Sequence, residues 1–281
     1  MLKHRDFFNR LVVSSIAITI VGLLLGFAYQ PAITVLLVLV IAALTGVGVW
    51  EYAQLAKAKG IQPATSLMIC VAVLEVLAFY FSLAYPQWSK LALLIIVLGF
   101  ISFFLAHFRS TDNALLNVAV EFFGVVYLAI PFSFILAILY PPHGTGDGRW
   151  WVFYLIAVTK VTDVGAYIVG KLWGKHPLAR HLSPKKTVEG AIGGFCFAVG
   201  LSLVFAIFGQ FIGSHVSLWH AAWLGMIIGV LAQIGDLAES LLKRDASVKD
   251  SNSIPGLGGV LDMVDSILFT SPVVYFFIRS I

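Results

Sequence analysis

Residues 31–50 read PAITVLLVLVIAALTGVGVW, a run without one charged side chain. At 1.5 Å of rise per residue such a run makes a helix about 30 Å long, the thickness of a bilayer's hydrocarbon core. Working outward, the chain repeats this pattern at 11–29, 65–85, 90–106, 115–140, 150–170, 188–213, 218–238 and 260–281. Backbone amides find no water in hydrocarbon, so runs this long must be helices; a barrel would show alternating segments of about ten residues. The composition agrees. The 281 residues are 60% hydrophobic and 11% charged, with mean hydropathy +0.96, against roughly 45 to 50% apolar in soluble domains. An all-α, polytopic integral membrane bundle of about nine transmembrane helices is expected, forming a single membrane domain over 1–281. Solenoid arrays, disordered chains, disulfide scaffolds and soluble enzymes with membrane-free substrates are excluded as the default. Cys70 and Cys196 lie inside apolar runs and read as packing residues. Residues 11–29 are too long for a signal-peptide core and lead straight into Pro31, so they read as a retained first span.

Basic residues in short loops stay on the cytoplasmic side during insertion, which sets the orientation. With the N-terminus inside, nine spans place Lys3, Arg5 and Arg10, then Lys57 and Lys59, then Arg109 on that side. They also place there Lys171, Lys175, Arg180, Lys185 and Lys186, then Lys243, Arg244 and Lys249. These are 14 of the chain's 18 Lys and Arg residues. Lys90, Arg149 and Arg279 fall outside and Lys160 lies within a span. Both long inside loops, 171–187 and 239–259, belong to the second half. A scaffold half, 1–145, and a catalytic half, 146–281, are therefore expected. The net charge of +4 is too small to argue for a nucleic-acid partner.

A carboxylate at the centre of a spanning helix costs about 2.5 to 3.5 kcal/mol, so each one asks for a partner or a purpose. Glu75 and Glu121 stand alone on apolar helices, where a hydrogen-bonded structural role and a functional one are equally open. Lys160 and Asp163, spaced i, i+3, share a helix face. The other acids share a depth. Asp236 closes span eight on the inside, Asp262 and Asp265 open span nine on one face from the same side, and Glu189 opens span seven. Acids at one level, opposite the bases of the two inside loops, are the parts of a magnesium phosphate site: oxygen ligands hold the hard cation and bases neutralise phosphate. Gly258 and Gly259 would let backbone amides approach an anion at the start of span nine. Gly190, Gly193 and Gly194 fit close helix packing better than ligand binding.

Ser240 to Arg244, Lys249 and Asp250, Pro255 to Gly259, and Asp262 with Asp265 together resemble the signature of the phosphatidate cytidylyltransferases, also called CDP-diacylglycerol synthases. Asp163, Ala166, Tyr167, Gly170 and Gly174 resemble a second block of that family. So do Ser183, Pro184, Lys186, Thr187, Glu189 and Gly190, and Gly235 and Asp236 also match the family. The likeness covers roughly 155–268. It departs at Leu257, where the family usually has His, and at Met263, where it usually has Arg.

The resemblance implies a magnesium-dependent reaction of CTP with phosphatidate at the cytoplasmic face of a bacterial-type inner or plasma membrane. CDP-diacylglycerol and pyrophosphate would be the products, with a homodimer as the assembly and a second, monovalent cation left open. It assigns metal ligation to Asp236 and Asp262 first, with Asp265, Asp250, Asp163 and Ser240 in support. Lys186, Lys243, Arg244 and Lys249 would hold phosphates, Asp236, Asp262, Asp265, Lys243 and Arg244 forming the catalytic set. Ser183 and Thr187 would donate to phosphate or cap span seven. Rival readings are a CTP-dependent enzyme on another lipid, such as a polyprenol kinase or an archaeol-type cytidylyltransferase, and an ion-coupled transporter using Lys160, Asp163 and Glu121 as a relay.

Overall fold

The computed structural model describes residues 19–109, 112–141, 147–210, 216–248 and 259–280. The elements run α1 (19–26), α2 (Pro31–Ala58), α3 (Thr65–Ala84), a 3₁₀ turn (Pro86–Trp88), α4 (Leu91–His107), α5 (Ala114–Leu139) and α6 (Gly148–Trp173). Then come β1 (Pro177–Ala179), β2 (Ser183–Thr187), α7 (Val188–Gly209), α8 (Leu218–Asp245) and α9 (Val260–Ser280). Among the described residues, α2 to α9 are eight helices long and apolar enough to cross a bilayer. They match eight of the nine expected spans. Of the remaining one, residues 19–26 are helical, 27–29 form a turn, and 11–18 lie outside the described residues.

Two boundaries differ from expectation. Helices α2 and α8 are each 28 residues long and run past their apolar stretches, to Ala58 and Asp245. Glu239, Ser240, Lys243 and Arg244, expected in a loop, are thus helical. A helix satisfies its own backbone, so its polar end continues beyond the hydrocarbon boundary at no hydrogen-bonding cost. The expected loop 171–187 holds an antiparallel hairpin, β1 with β2, pairing Pro177 with Thr187 and Ala179 with Ser183.

The chain packs as two compact units, one of Met1–Leu136 with Asp245–Met263 and one of Ala137–Arg244 with Val264–Ile281. In the first, α3 packs on both α2 and α4. Among the described residues its buried acids are hydrogen-bonded. Glu75 accepts from Ser133 Oγ at 2.8 Å, and Glu121 Oε1 accepts from Ala64 N at 2.7 Å and lies 2.8 Å from His107 Nε2. Lys59 Nζ pairs with Asp245 Oδ1 at 2.6 Å, joining the end of α2 to the end of α8.

In the second unit α6 lies closely against α7. A Cβ at Gly194 would stand 2.7 Å from the Thr162 carbonyl oxygen, so only glycine permits this approach. Small residues are the usual means of tight packing in lipid, which is too apolar to drive helices together.

Candidate active site

Helix α6 brings Lys160 and Asp163, α8 brings Asp236, Glu239 and Lys243, α9 brings Asp265, and the hairpin brings Lys186. All belong to the second unit. Asp236 and Glu239 are spaced i, i+3 and share one face of α8. Between α8 and α9 there is no room for a side chain at 235: a Cβ on Gly235 would stand 2.5 Å from the Asp265 carbonyl oxygen. That contact sets Asp265 beside Asp236. One carboxylate oxygen from each of Asp236, Glu239 and Asp265 lies within 4.8 Å of the others. Glu239 and Asp265 are buried, at 2% and 6% exposure, and Asp236 is half-buried.

Three carboxylates so close repel by about 3 to 4 kcal/mol per ionised pair at an effective dielectric near 20. Lysines offset part of this. Lys186 Nζ stands 2.5 Å from Asp236 Oδ2, Lys243 Nζ is 2.7 Å from Glu239 Oε2, and Lys160 Nζ is 3.7 Å from Asp163 Oδ2. Asp163 lies within electrostatic reach of Asp236 and Lys186, and Asp265 within reach of Asp236, Asp163 and Lys160. Four acids thus face three lysines, and the trio's converging oxygens are the donor set a hard divalent cation takes. The residues present fit a magnesium-type ion.

A cavity of about 330 Å³ opens beside this cluster. Asp163, Asp236 and Lys186 line its charged end, and Tyr167, Leu178 and Ala191 are among its apolar walls. A mostly apolar chamber with a few charged groups at one end is the usual form of a small-molecule site.

The other expected residues divide. Thr187 is the N-cap of α7, its side chain accepting from Gly190 N at 3.1 Å, and it also lines the cavity. Ser183 sits in β2 opposite Ala179. Arg244 Nε donates to the Leu182 carbonyl at 3.2 Å, bracing the hairpin turn against the end of α8. Ser240 lies four residues after Asp236, on the same helix face. Glu189 does not join the trio. It accepts from Lys175 N at 3.0 Å and His176 N at 3.2 Å and pairs with His176 Nδ1 at 2.5 Å, stapling the lead into the hairpin. Lys249, Asp250 and Gly258, with Pro255 and Leu257, lie outside the described residues.

At the start of α9 the structure revises the sequence reading. The N–H groups of Val260 and Leu261, just after Gly259, donate to Glu51 Oε1 and Oε2 at 3.0 and 2.7 Å. These two amides are therefore held by a protein carboxylate. Asp262, in the first turn of α9, belongs with Glu51 to the first unit and lies within its electrostatic reach. The acids gathered with Asp236 are Asp265 and Glu239.

Two acids thus carry more than the sequence reading gave them. Glu239 was legible in outline, because Asp236, Glu239 and Lys243 fall at i, i+3 and i+7. The signal for Glu51 was fainter: an acid one residue beyond an apolar run, 209 positions from the backbone it caps.

The chain matches the cytidylyltransferase family over residues 8–281. It is 31% identical to the phosphatidate cytidylyltransferase of Chlamydia pneumoniae over 288 aligned residues, covering 98% of this chain and 92% of that one. A Synechocystis sp. protein of the same name is 31% identical over 271 residues, 85% of this chain and 86% of its own. One from Bacillus subtilis is 43% identical over 130 residues, 46% of this chain and 47% of its own.

Proposed function

The chain belongs to the cytidylyltransferase family, and on that premise we propose that it converts CTP and phosphatidate into CDP-diacylglycerol and pyrophosphate. The observation carrying this reading is the carboxylate trio of Asp236, Glu239 and Asp265, with Lys186 against Asp236 at the charged end of the cavity. The names of the relatives supply the substrates.

A phosphate oxygen of the lipid attacks the α-phosphorus of CTP, a new P–O bond forms, and the bond to the β-phosphate oxygen breaks as pyrophosphate leaves. No protein nucleophile is needed, so the protein's contribution is alignment and charge neutralisation. A magnesium ion held by Asp236, Glu239 and Asp265 would neutralise phosphate oxygens. Lys186 and Lys243 come to the site already paired with its acids. Phosphate oxygens entering the cluster compete for these ammonium groups, which then offset the incoming negative charge. Asp163 and Lys160 extend the charged wall on α6. Tyr167 and Leu178 offer apolar surface to the diacylglycerol part, whose tails remain in lipid while its phosphate meets a nucleotide arriving from water.

We place the site at the cytoplasmic face. The distribution of Lys and Arg supports this, and so does the Lys59–Asp245 ion pair, which joins two helix ends assigned to that side.

The test is incubation of purified protein in detergent with labelled CTP, magnesium and phosphatidate. Lipid-extractable label is expected, lost when phosphatidate is replaced by a polyprenol. Asp236→Asn should cut turnover by about 10²- to 10³-fold without changing the elution profile. Absence of labelled lipid from the unaltered protein would overturn the reading.

A further inference from the structure

Gln233 stands three residues before Asp236 on α8, about 4.5 Å along the helix axis, and lines the same cavity. Its amide nitrogen is committed twice, donating to the Gly229 carbonyl at 2.7 Å and to the Ala191 carbonyl on α7 at 3.1 Å. Both partners are acceptors. A flipped amide would set its oxygen against two carbonyl oxygens, so the orientation is determined rather than arbitrary. The side-chain oxygen Oε1 is left as a fixed acceptor, and among the described residues no donor reaches it. Of the charged groups that line the cavity, Asp163, Asp236 and Lys186 are engaged with one another, Lys171 lies over the Tyr167 ring, and Lys185 is the other ammonium in the lining. An oriented neutral acceptor in a mostly apolar cavity calls for an N–H or O–H group from whatever enters.

Resting on the proposed function, we propose that Gln233 determines nucleotide specificity by accepting a hydrogen bond from the nucleoside of CTP. Of the two substrates only the nucleotide has such a donor away from its phosphates. The diacylglycerol body offers ester carbonyls, which are acceptors, whereas cytidine offers the exocyclic amine of its base and the hydroxyls of its ribose. UTP presents a carbonyl oxygen where CTP has the amine, so a base-reading Gln233 would oppose acceptor to acceptor and reject it.

The test compares kcat/KM for CTP, UTP and dCTP in the full-length protein with phosphatidate and magnesium, before and after Gln233→Met, which keeps length and removes the acceptor. If the amine is read, the preference for CTP over UTP falls by about tenfold or more. If the 2′-hydroxyl is read, the preference over dCTP falls instead. A ratio taken within one sample does not depend on how much of it is folded. A glutamine serving only to tie α7 to α8 would lower all three nucleotides alike, leave both ratios unchanged and overturn the proposal. Should the variant fail to fold, the unaltered protein decides the matter with N4,N4-dimethyl-CTP and the 2′- and 3′-deoxy analogues. Equal use of all of them with CTP would also overturn it. An unaltered protein inactive with CTP itself would instead overturn the underlying reading of function.

Discussion

At the scale of single residues, the buried Glu51 shows how a side chain remote in sequence holds the start of a helix. It accepts from Val260 N and Leu261 N, two of the four amides that a helix leaves unsatisfied at its start. Its charge also complements the positive end of the α9 dipole. Glu51→Ala would orphan both amides in a region where Glu51 is only 2% exposed. Each buried orphan costs about 1 to 3 kcal/mol. The expected outcome is a clearly lower midpoint of thermal unfolding in detergent, together with lower turnover, because the same helix carries Asp265. An unchanged midpoint would show that water or another group satisfies the amides as well as Glu51 does. Glu189 plays a comparable part for the turn at Lys175 and His176. In both cases an acid that composition alone would offer to a metal is used to hold backbone.

At the scale of elements, the step from β2 into α7 decides where Lys186 points. Thr187 is at once the last residue of the strand and the N-cap of the helix, so the neighbouring lysine inherits its position from that cap. Thr187→Val keeps the shape and loses the hydroxyl. It should lower stability by about 1 kcal/mol, whereas Thr187→Ser should stay near the unaltered protein, with both read as thermal midpoints. If the two variants behave alike, the hydroxyl is not the capping group. The α8–α9 contact works by the opposite means, absence of a side chain. Gly235 lets Asp265 lie beside Asp236, and a Cβ at 235 would run into backbone, which cannot move aside as a flexible side chain can.

At the scale of the whole molecule, the orientation that the Lys and Arg residues favour can be tested directly. With native cysteines replaced, a single cysteine at position 59 or 185 should react with a membrane-impermeant reagent in inverted vesicles and be protected in right-side-out ones; the reverse pattern would invert the topology. The helical class and eight of the spans were legible because bilayer thickness demands long apolar runs that unsatisfied amides force into helices, and this is a property of local sequence. The convergence of Asp236 and Asp265 was legible too, since helix periodicity and a shared depth bring the ends of successive spans to one level. Which acids meet was another matter. Asp262 and Asp265 are three residues apart and equivalent by pattern, yet the close α8–α9 approach at Gly235 selects Asp265, while Glu51 fills the helix terminus that glycines had suggested for an anion. Sequence alone determined that this chain crosses a membrane and brings acids and bases to one end of its helices. Only the tertiary structure decided which carboxylates stand together, because that depends on how closely the α8 and α9 backbones approach, a distance that Gly235 permits by having no side chain.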